Sequence, residues 1–159
     1  MTFKTADLCD ANQDRVQIVQ PGLKNFGGKS RFYGEIVTIQ AMGDFSQVRA
    51  QVHSPGAGKV LVVDNDGVLN RAMLGDLLAA AACDNEWQGI VINGCIRDSA
   101  DIAAMDIGVK ALATVPQRGL RQDKGELNVE VEFLGASFRS GEFLYSDEDG
   151  ILLSVSRLI

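Results

Sequence analysis

Three short apolar runs, set apart by helix-forming or polar stretches, do most to limit what this chain can fold into. Lys59-Val-Leu-Val-Val-Asp64 is nearly continuous in aliphatic residues. Gly89-Ile-Val-Ile-Asn93 and the stretch from Lys110 to Val115 repeat the pattern. Such runs mark strands buried on both faces, because a half-exposed strand would alternate apolar with polar. Gly75 to Glu86 (GDLLAAAACDNE) lies between the first two, and its alanines and leucines predict the clearest helix of the chain. Ser99 to Met105 predicts a short helix between the second and third. The middle of the chain therefore reads β-α-β-α-β. That order implies a largely parallel α/β sheet with right-handed crossovers and ligands bound outside the carboxyl ends of its strands.

The flanks read differently. Thr5 to Asn12 predicts a short helix with Thr5 as its cap. Arg31 to Ala41 is rich in β-branched and aromatic residues and predicts a strand. Asp44 to His53 predicts a helix capped by Asp44 and broken by Ser54-Pro55-Gly56-Ala57-Gly58. After Pro116 comes a polar loop, Gln117 to Gly125, and then a β-rich segment. Asn128 to Phe133 alternates as a half-exposed strand, Gly135 turns it back into Ala136 to Arg139, and Asp147-Glu-Asp-Gly150 joins Phe143–Ser146 to Ile151–Ser154 as a hairpin.

With 159 residues and 46% hydrophobic content, the chain suits one domain over 1–159 with a full core. Its net charge of −6 and the lack of a lysine/arginine stripe disfavour nucleic acid as a direct partner. No apolar run is long enough for a membrane span. The polar opening MTFKTADLCDANQD is no signal peptide. Cys9, Cys83 and Cys95 are odd in number and contain no CxxC, which fits reduced thiols in a cytoplasmic protein.

Two residue pairs carry the chemistry. Gly75-Asp76 and Arg97-Asp98 each fall where a buried strand or loop meets the start of a helix. The N–H groups of residues 75–78 (Gly75, Asp76, Leu77, Leu78) can hold a carboxylate at a helix N-terminus. Arg97 can grip the same anion through two parallel hydrogen bonds, and Asp98 offers a hard oxygen to magnesium or manganese. Each pair also has an ordinary reading. In it Asp76 complements a helix dipole, and Asp98-Ser-Ala-Asp101 resembles a capping box.

Other patterns fail. Gly56-Ala57-Gly58-Lys59 lacks the hydroxyl residue and the helix of a phosphate loop. Asp64-Asn65-Asp66-Gly67 lacks the later ligands of a calcium loop and reads as a turn. His53, the only histidine, reads as a surface helix residue, and Cys95 as packing. Cleavage of a carbon–carbon bond beside a ketone needs an electron sink, either a Schiff-base lysine or a Lewis-acid metal. Lys59 and Lys110 enter strands on the wrong side, and the other lysines lie in polar segments. A metal is the better fit.

These residues are familiar together. The chain resembles the RraA-like family from end to end, which includes regulators of ribonuclease E activity and metal-dependent 4-hydroxy-4-methyl-2-oxoglutarate aldolases. Asn25-Phe-Gly-Gly28, Val60-Leu-Val-Val-Asp64, Asn85-Glu-Trp87, Ile107-Gly108 and Asp149-Gly150-Ile151 carry the likeness, and Asp76, Arg97 and Asp98 meet the aldolase pattern. The resemblance implies a layered β/β/α fold and a homotrimer with sites at subunit boundaries. It implies a lyase that cleaves its substrate to two pyruvates, with oxaloacetate decarboxylation as a side activity. It further implies a metal held near Asp98, an enolate neutralised by Arg97, a substrate carboxylate held by residues 75–78, and a water oriented by Asp76. The alternative implied is a regulator that binds and inhibits ribonuclease E without catalysis.

Overall fold

The computed structural model describes residues 2–159. Eleven strands and four helices follow in the order α1 (Thr5–Ala11), β1 (Val16–Ile18), β2 (Lys24–Asn25), β3 (Phe32–Gln40), α2 (Ser46–Val52), β4 (Lys59–Asp64), α3 (Asp76–Asp84), β5 (Gly89–Ile96), α4 (Ser99–Ile102), β6 (Gly108–Thr114), β7 (Glu126–Leu127), β8 (Val131–Phe133), β9 (Ala136–Phe138), β10 (Phe143–Ser146) and β11 (Ile151–Ser154). One mixed sheet runs β1-β11-β10-β3-β4-β5-β6-β2, with β7 paired to β3. Its centre, β3 to β6, is parallel, and the outer strands are antiparallel.

The layers follow from the connections. Each parallel strand is laid beside the one before it, so right-handed crossovers put α2, α3 and α4 on one face. There Val48 and Val52 of α2, Ala79 and Ala82 of α3 and Ile102 of α4 pack on Ile39, Leu61, Val63, Ile90 and Ile92. The alternate residues Ile36, Val60, Val62 and Val91 face the other way, against Val131, Phe133, Ala136 and Phe138 of the β8–β9 hairpin. The result is hairpin, sheet and helices: the β/β/α layering with a parallel centre and a β-rich C-terminal segment. Among the described residues no helix is long and apolar enough to cross a membrane.

Several local expectations give way to tertiary contacts. Thr5 is the first residue of α1 rather than its cap. Its N–H and hydroxyl both donate to the Asp147 carboxylate, at 2.7 Å each. Asp44 lies two residues before α2. It still receives the Ser46 N–H at 2.8 Å, and its other oxygen takes the Gln122 N–H. The strand expected from Asn128 begins at Val131 instead, because Asn128 itself is left-handed (φ 62°). β5 outruns its expected end by three residues, through a register shift against β6 between Ile92 and Cys95. β1, β2 and β7 are only two or three residues long, too short to leave a periodic signal.

Candidate active site

The segment after β4 is what brings the two pairs together. Asp64 closes β4, and Asp66 and Gly67, both left-handed, make the tight turn that follows. Residues 72–75 then run alongside the end of β5. The Met73 N–H donates to the Cys95 carbonyl and the Arg97 N–H to the Leu74 carbonyl, both at 2.9 Å. This short ladder sets Gly75 against Arg97 and Asp98. A Cβ on Gly75 would sit 2.8 Å from Asp98 Oδ2 and 3.4 Å from Arg97 Nε. Residues 75–78 and 97–98 thus share one place, as the sequence suggests.

Asp98 occupies an unusual position. Its backbone is left-handed (φ 55°, ψ 39°), a conformation that costs a non-glycine residue and is found where the surroundings enforce it. It precedes α4 but makes no side-chain bond to that helix, so the capping box suggested by Asp98-Ser-Ala-Asp101 does not form. Its Oδ2 instead accepts the Asp76 N–H at 3.0 Å, capping α3 from across the site. That N–H is the main reason the Asp98 carboxyl is held below its ordinary value. Partial burial opposes it, while the Asp76 side chain and the Arg97 charge add to it. Asp98 is therefore an ionised carboxylate at working pH.

The amides of the first turn of α3 are only half available. The Asp76 N–H is taken by Asp98, and the Leu77 N–H donates to Asp76 Oδ1 at 2.8 Å. Two of the four donors expected over 75–78 thus already have acceptors within the protein, because helix-start donors bond to whatever acceptor lies nearest. The Gly75 and Leu78 N–H groups make no hydrogen bond among the described residues. Arg97 is half-buried and donates from Nη1 to the Pro116 carbonyl at 3.4 Å.

Around this point opens a cavity of about 310 Å³. Gly75, Asp76, Leu77, Leu78, Arg97 and Asp98 all line it, and so do Arg49, His53, Arg118 and Arg121. The last four are functional candidates that the sequence reading missed. His53 is not merely a surface helix residue. It ends α2 at the cavity wall, with Nδ1 2.8 Å from the Arg49 carbonyl. Arg118 and Arg121 come from the polar loop after β6, whose only sequence signal was two arginines three residues apart. Cys95 is fully buried, as packing requires.

Among the described residues no group of three or more His, Cys, Asp or Glu side chains gathers to hold a metal. Magnesium does not need one, since it is commonly bound through one or two carboxylates with water and substrate completing the shell. Asp98 suits that role: it is exposed and ionised, it accepts the Asp76 N–H through Oδ2, and the Asp76 side chain lies beside it.

Comparison with known proteins places the chain. The family model described as RraA-like, Aldolase/RraA, matches residues 5–153. A relative from Pseudomonas fluorescens (strain SBW25), named "Putative 4-hydroxy-4-methyl-2-oxoglutarate aldolase", is 51% identical over 156 residues, covering 98% of this chain and 96% of its own. One of the same name from Azotobacter vinelandii (strain DJ / ATCC BAA-1303) is 53% identical, with 97% and 95% covered. Two solved structures superpose with TM-scores of 0.96. One is S-adenosylmethionine: 2-dimethylmenaquinone methyltransferase from Geobacillus kaustophilus HTA426, at 41% identity over 98% of this chain and 97% of that one. The other is the RNA-processing inhibitor RraA from Thermus thermophilis, at 36% identity over 100% and 96%. With a family match over nearly its whole length and the layered fold and motif spacing to go with it, this chain belongs to the RraA-like family.

Proposed function

We propose that the protein is a divalent-metal-dependent aldolase that cleaves 4-hydroxy-4-methyl-2-oxoglutarate to two pyruvates, with oxaloacetate decarboxylation as a side activity. One observation carries this reading: Arg97, the ionised Asp98 and the start of α3 meet within one cavity, about a point where a Gly75 Cβ would touch both side chains. Relatives at 51–53% identity that bear an aldolase name support it.

Each group has a task in this chemistry. The Gly75 and Leu78 N–H groups hold the carboxylate of the 2-oxo acid, aided by the N-terminal dipole of α3. Asp98, with Asp76 beside it, would hold magnesium or manganese, which supplies Lewis-acid polarisation of the keto group. Arg97 faces the keto oxygen as charge develops there. In the cleavage, the C4 hydroxyl loses its proton, the C3–C4 bond breaks, and its electron pair passes to C3 and the keto oxygen as the enolate of pyruvate. A water oriented by Asp76 accepts the proton and returns one to C3. Decarboxylation of oxaloacetate passes through the same enolate, which is why one site would serve both.

The test is pyruvate release with added magnesium, with chelator, and in Asp98→Ala and Arg97→Ala. Both chelation and Asp98→Ala should abolish turnover, and Arg97→Ala should lower it on the order of 10²–10³, as for other donors to a developing oxyanion. Activity indifferent to all these changes would overturn the mechanism. A second reading, binding and inhibition of a ribonuclease, is favoured by the likeness to the RNA-processing inhibitor. A folded protein that releases no pyruvate under any of these conditions would leave that reading standing.

A further inference from the structure

The polar loop after β6 is held by two different means along its length. Its first half is laced by main-chain bonds. The Ala72 N–H donates to the Gln117 carbonyl at 2.8 Å, and the Gly119 N–H to the Ala72 carbonyl at 2.9 Å. The Leu120 N–H donates to the Gly43 carbonyl at 3.0 Å, and the Phe45 N–H to the Leu120 carbonyl at 2.8 Å. Arg118 has further support. Arg71 Nη1 donates to its carbonyl at 2.9 Å, and its guanidinium lies over the Phe45 ring, 5.6 Å from the centroid. The second half has none of this. Among the described residues, 121–124 make no hydrogen bond from main chain to main chain.

The ties of this second half run instead to one short segment at the start of α2. The Gln122 N–H donates to Asp44 Oδ2, and the Asp123 N–H to Ser46 Oγ at 3.0 Å. The Lys124 N–H also faces the Asp44 carboxylate. Asp44 is fully buried, and its Oδ1 accepts the Ser46 N–H at 2.8 Å. Burial pushes the Asp44 carboxyl up, but the Ser46 hydroxyl and N–H and the Gln122 and Lys124 donors outweigh it and hold the group below its ordinary value. Asp44 is thus a carboxylate, with acceptor oxygens and no proton to donate, facing N–H groups on two sides. Such burial of a charge is tolerated only when it is hydrogen-bonded in this way. A cap for α2 alone would need one oxygen. The other is committed to the loop. What this part of the loop delivers is Arg121, which lines the cavity but has no ion pair among the described residues to fix its side chain.

We infer that Asp44 is the positioning residue for Arg121: its buried carboxylate holds residues 121–124 so that the guanidinium reaches the cavity. Arg118 does not depend on it, being fixed by its own ladder and by Phe45. Without the Asp44 carboxylate, Arg121 keeps its charge but has to be ordered each time an anion binds. That cost weighs equally on bound substrate and transition state, so KM rises while kcat stays. The inference rests on the aldolase reading for its kinetics, but not for the binding or for the state of the loop.

The experiment uses Asp44→Asn, alone and combined with Arg121→Ala or with Arg118→Ala, the fold of each being checked by circular dichroism. Asparagine keeps the size of the side chain and one acceptor oxygen, but turns an N–H group toward a second donor. KM for 4-hydroxy-4-methyl-2-oxoglutarate, and Kd for 2-oxoglutarate by calorimetry with magnesium, should each rise about 3- to 10-fold, the cost of ordering one long side chain. The kcat should stay within about 2-fold of wild type. The rise should vanish in the Arg121→Ala background and persist in full in the Arg118→Ala background, because only groups that act through one another depart from additivity. Trypsin reads the loop without any ligand, and its cleavage after Arg121 and Lys124 should quicken in Asp44→Asn. Ser46→Ala removes the Asp123 tie and spares the Asp44 carboxylate. It should show the same dependence on Arg121 at a smaller size, and it carries the test if Asp44→Asn does not fold. A wild type that releases no pyruvate but shows this pattern in Kd sinks the aldolase reading and leaves the positioning role intact. An equal rise in both arginine backgrounds, or trypsin cleavage unchanged from wild type, overturns the positioning role, whatever the activity.

Discussion

At the scale of single residues, Gly75 is the most demanding position in the site. Its backbone (φ −131°, ψ −171°) is open to any residue, so nothing conformational asks for glycine. The requirement is space, because a methyl group there would press on the Asp98 carboxylate at 2.8 Å and on Arg97 at 3.4 Å. Gly75→Ala is expected to cut kcat/KM by roughly 10- to 100-fold, the scale of a small misplacement of catalytic groups. The melting temperature should stay within a few degrees of wild type. Steady-state kinetics beside a thermal melt would check this, and a large loss of stability would point to a structural role instead. Spacing and residue type were enough to flag Arg97 and Asp98 in the sequence. What spacing could not reveal was that Asp98 sits in a left-handed conformation and caps a helix other than its own. That depends on residues 72–75 running beside β5, a contact with no local signature. Arg118 and Arg121 were hidden for a related reason: their loop is ordered by Asp44 and Ser46, more than seventy residues away.

At the scale of elements, the buried strands were legible because their apolar runs are continuous, and β4, β10 and β11 match their expected ends. The helix starts were less so, since Thr5 and Asp44 direct their side chains to distant partners instead of only to their own helices. One feature of the sheet explains two glycines that otherwise look arbitrary. The Phe32 ring from the start of β3 lies across Gly89 and Gly108, at the first residues of β5 and β6, and a Cβ on either would collide with it. Phe32 is almost fully buried there. Gly108→Ala should therefore overpack the sheet and cost about 1–3 kcal/mol, a fall of roughly 3–10 °C in melting temperature for a chain of this size. A thermal melt of Gly108→Ala alone and combined with Phe32→Leu tests the cause, since the smaller side chain should recover part of the loss.

At the scale of the whole molecule, the two ends of the fold are tied by a buried polar knot. The Asp147 carboxylate accepts the N–H and hydroxyl of Thr5 and, at 3.0 Å, the N–H of Asp149, while Lys110 Nζ donates to the Asp147 carbonyl at 2.7 Å. Burial pushes the Asp147 carboxyl up, but the Thr5 and Asp149 donors outweigh it and hold the group below its ordinary 3.8. A carboxyl depressed by folding adds stability that is fully present above its unfolded value and is lost as pH falls through the lower folded value. Asp147→Asn should therefore lower stability near neutral pH and flatten its fall below about pH 4. Urea titrations from pH 7 to pH 3 would reveal this, and parallel curves for both proteins would refute it. Thr5 and Asp147 are 142 positions apart. On a ribosome adding roughly 5–20 residues each second, the first helix must wait for almost the entire chain to emerge before its anchor exists. Until then α1 has only a few apolar contacts to rest on, so the nascent protein would fasten its beginning last.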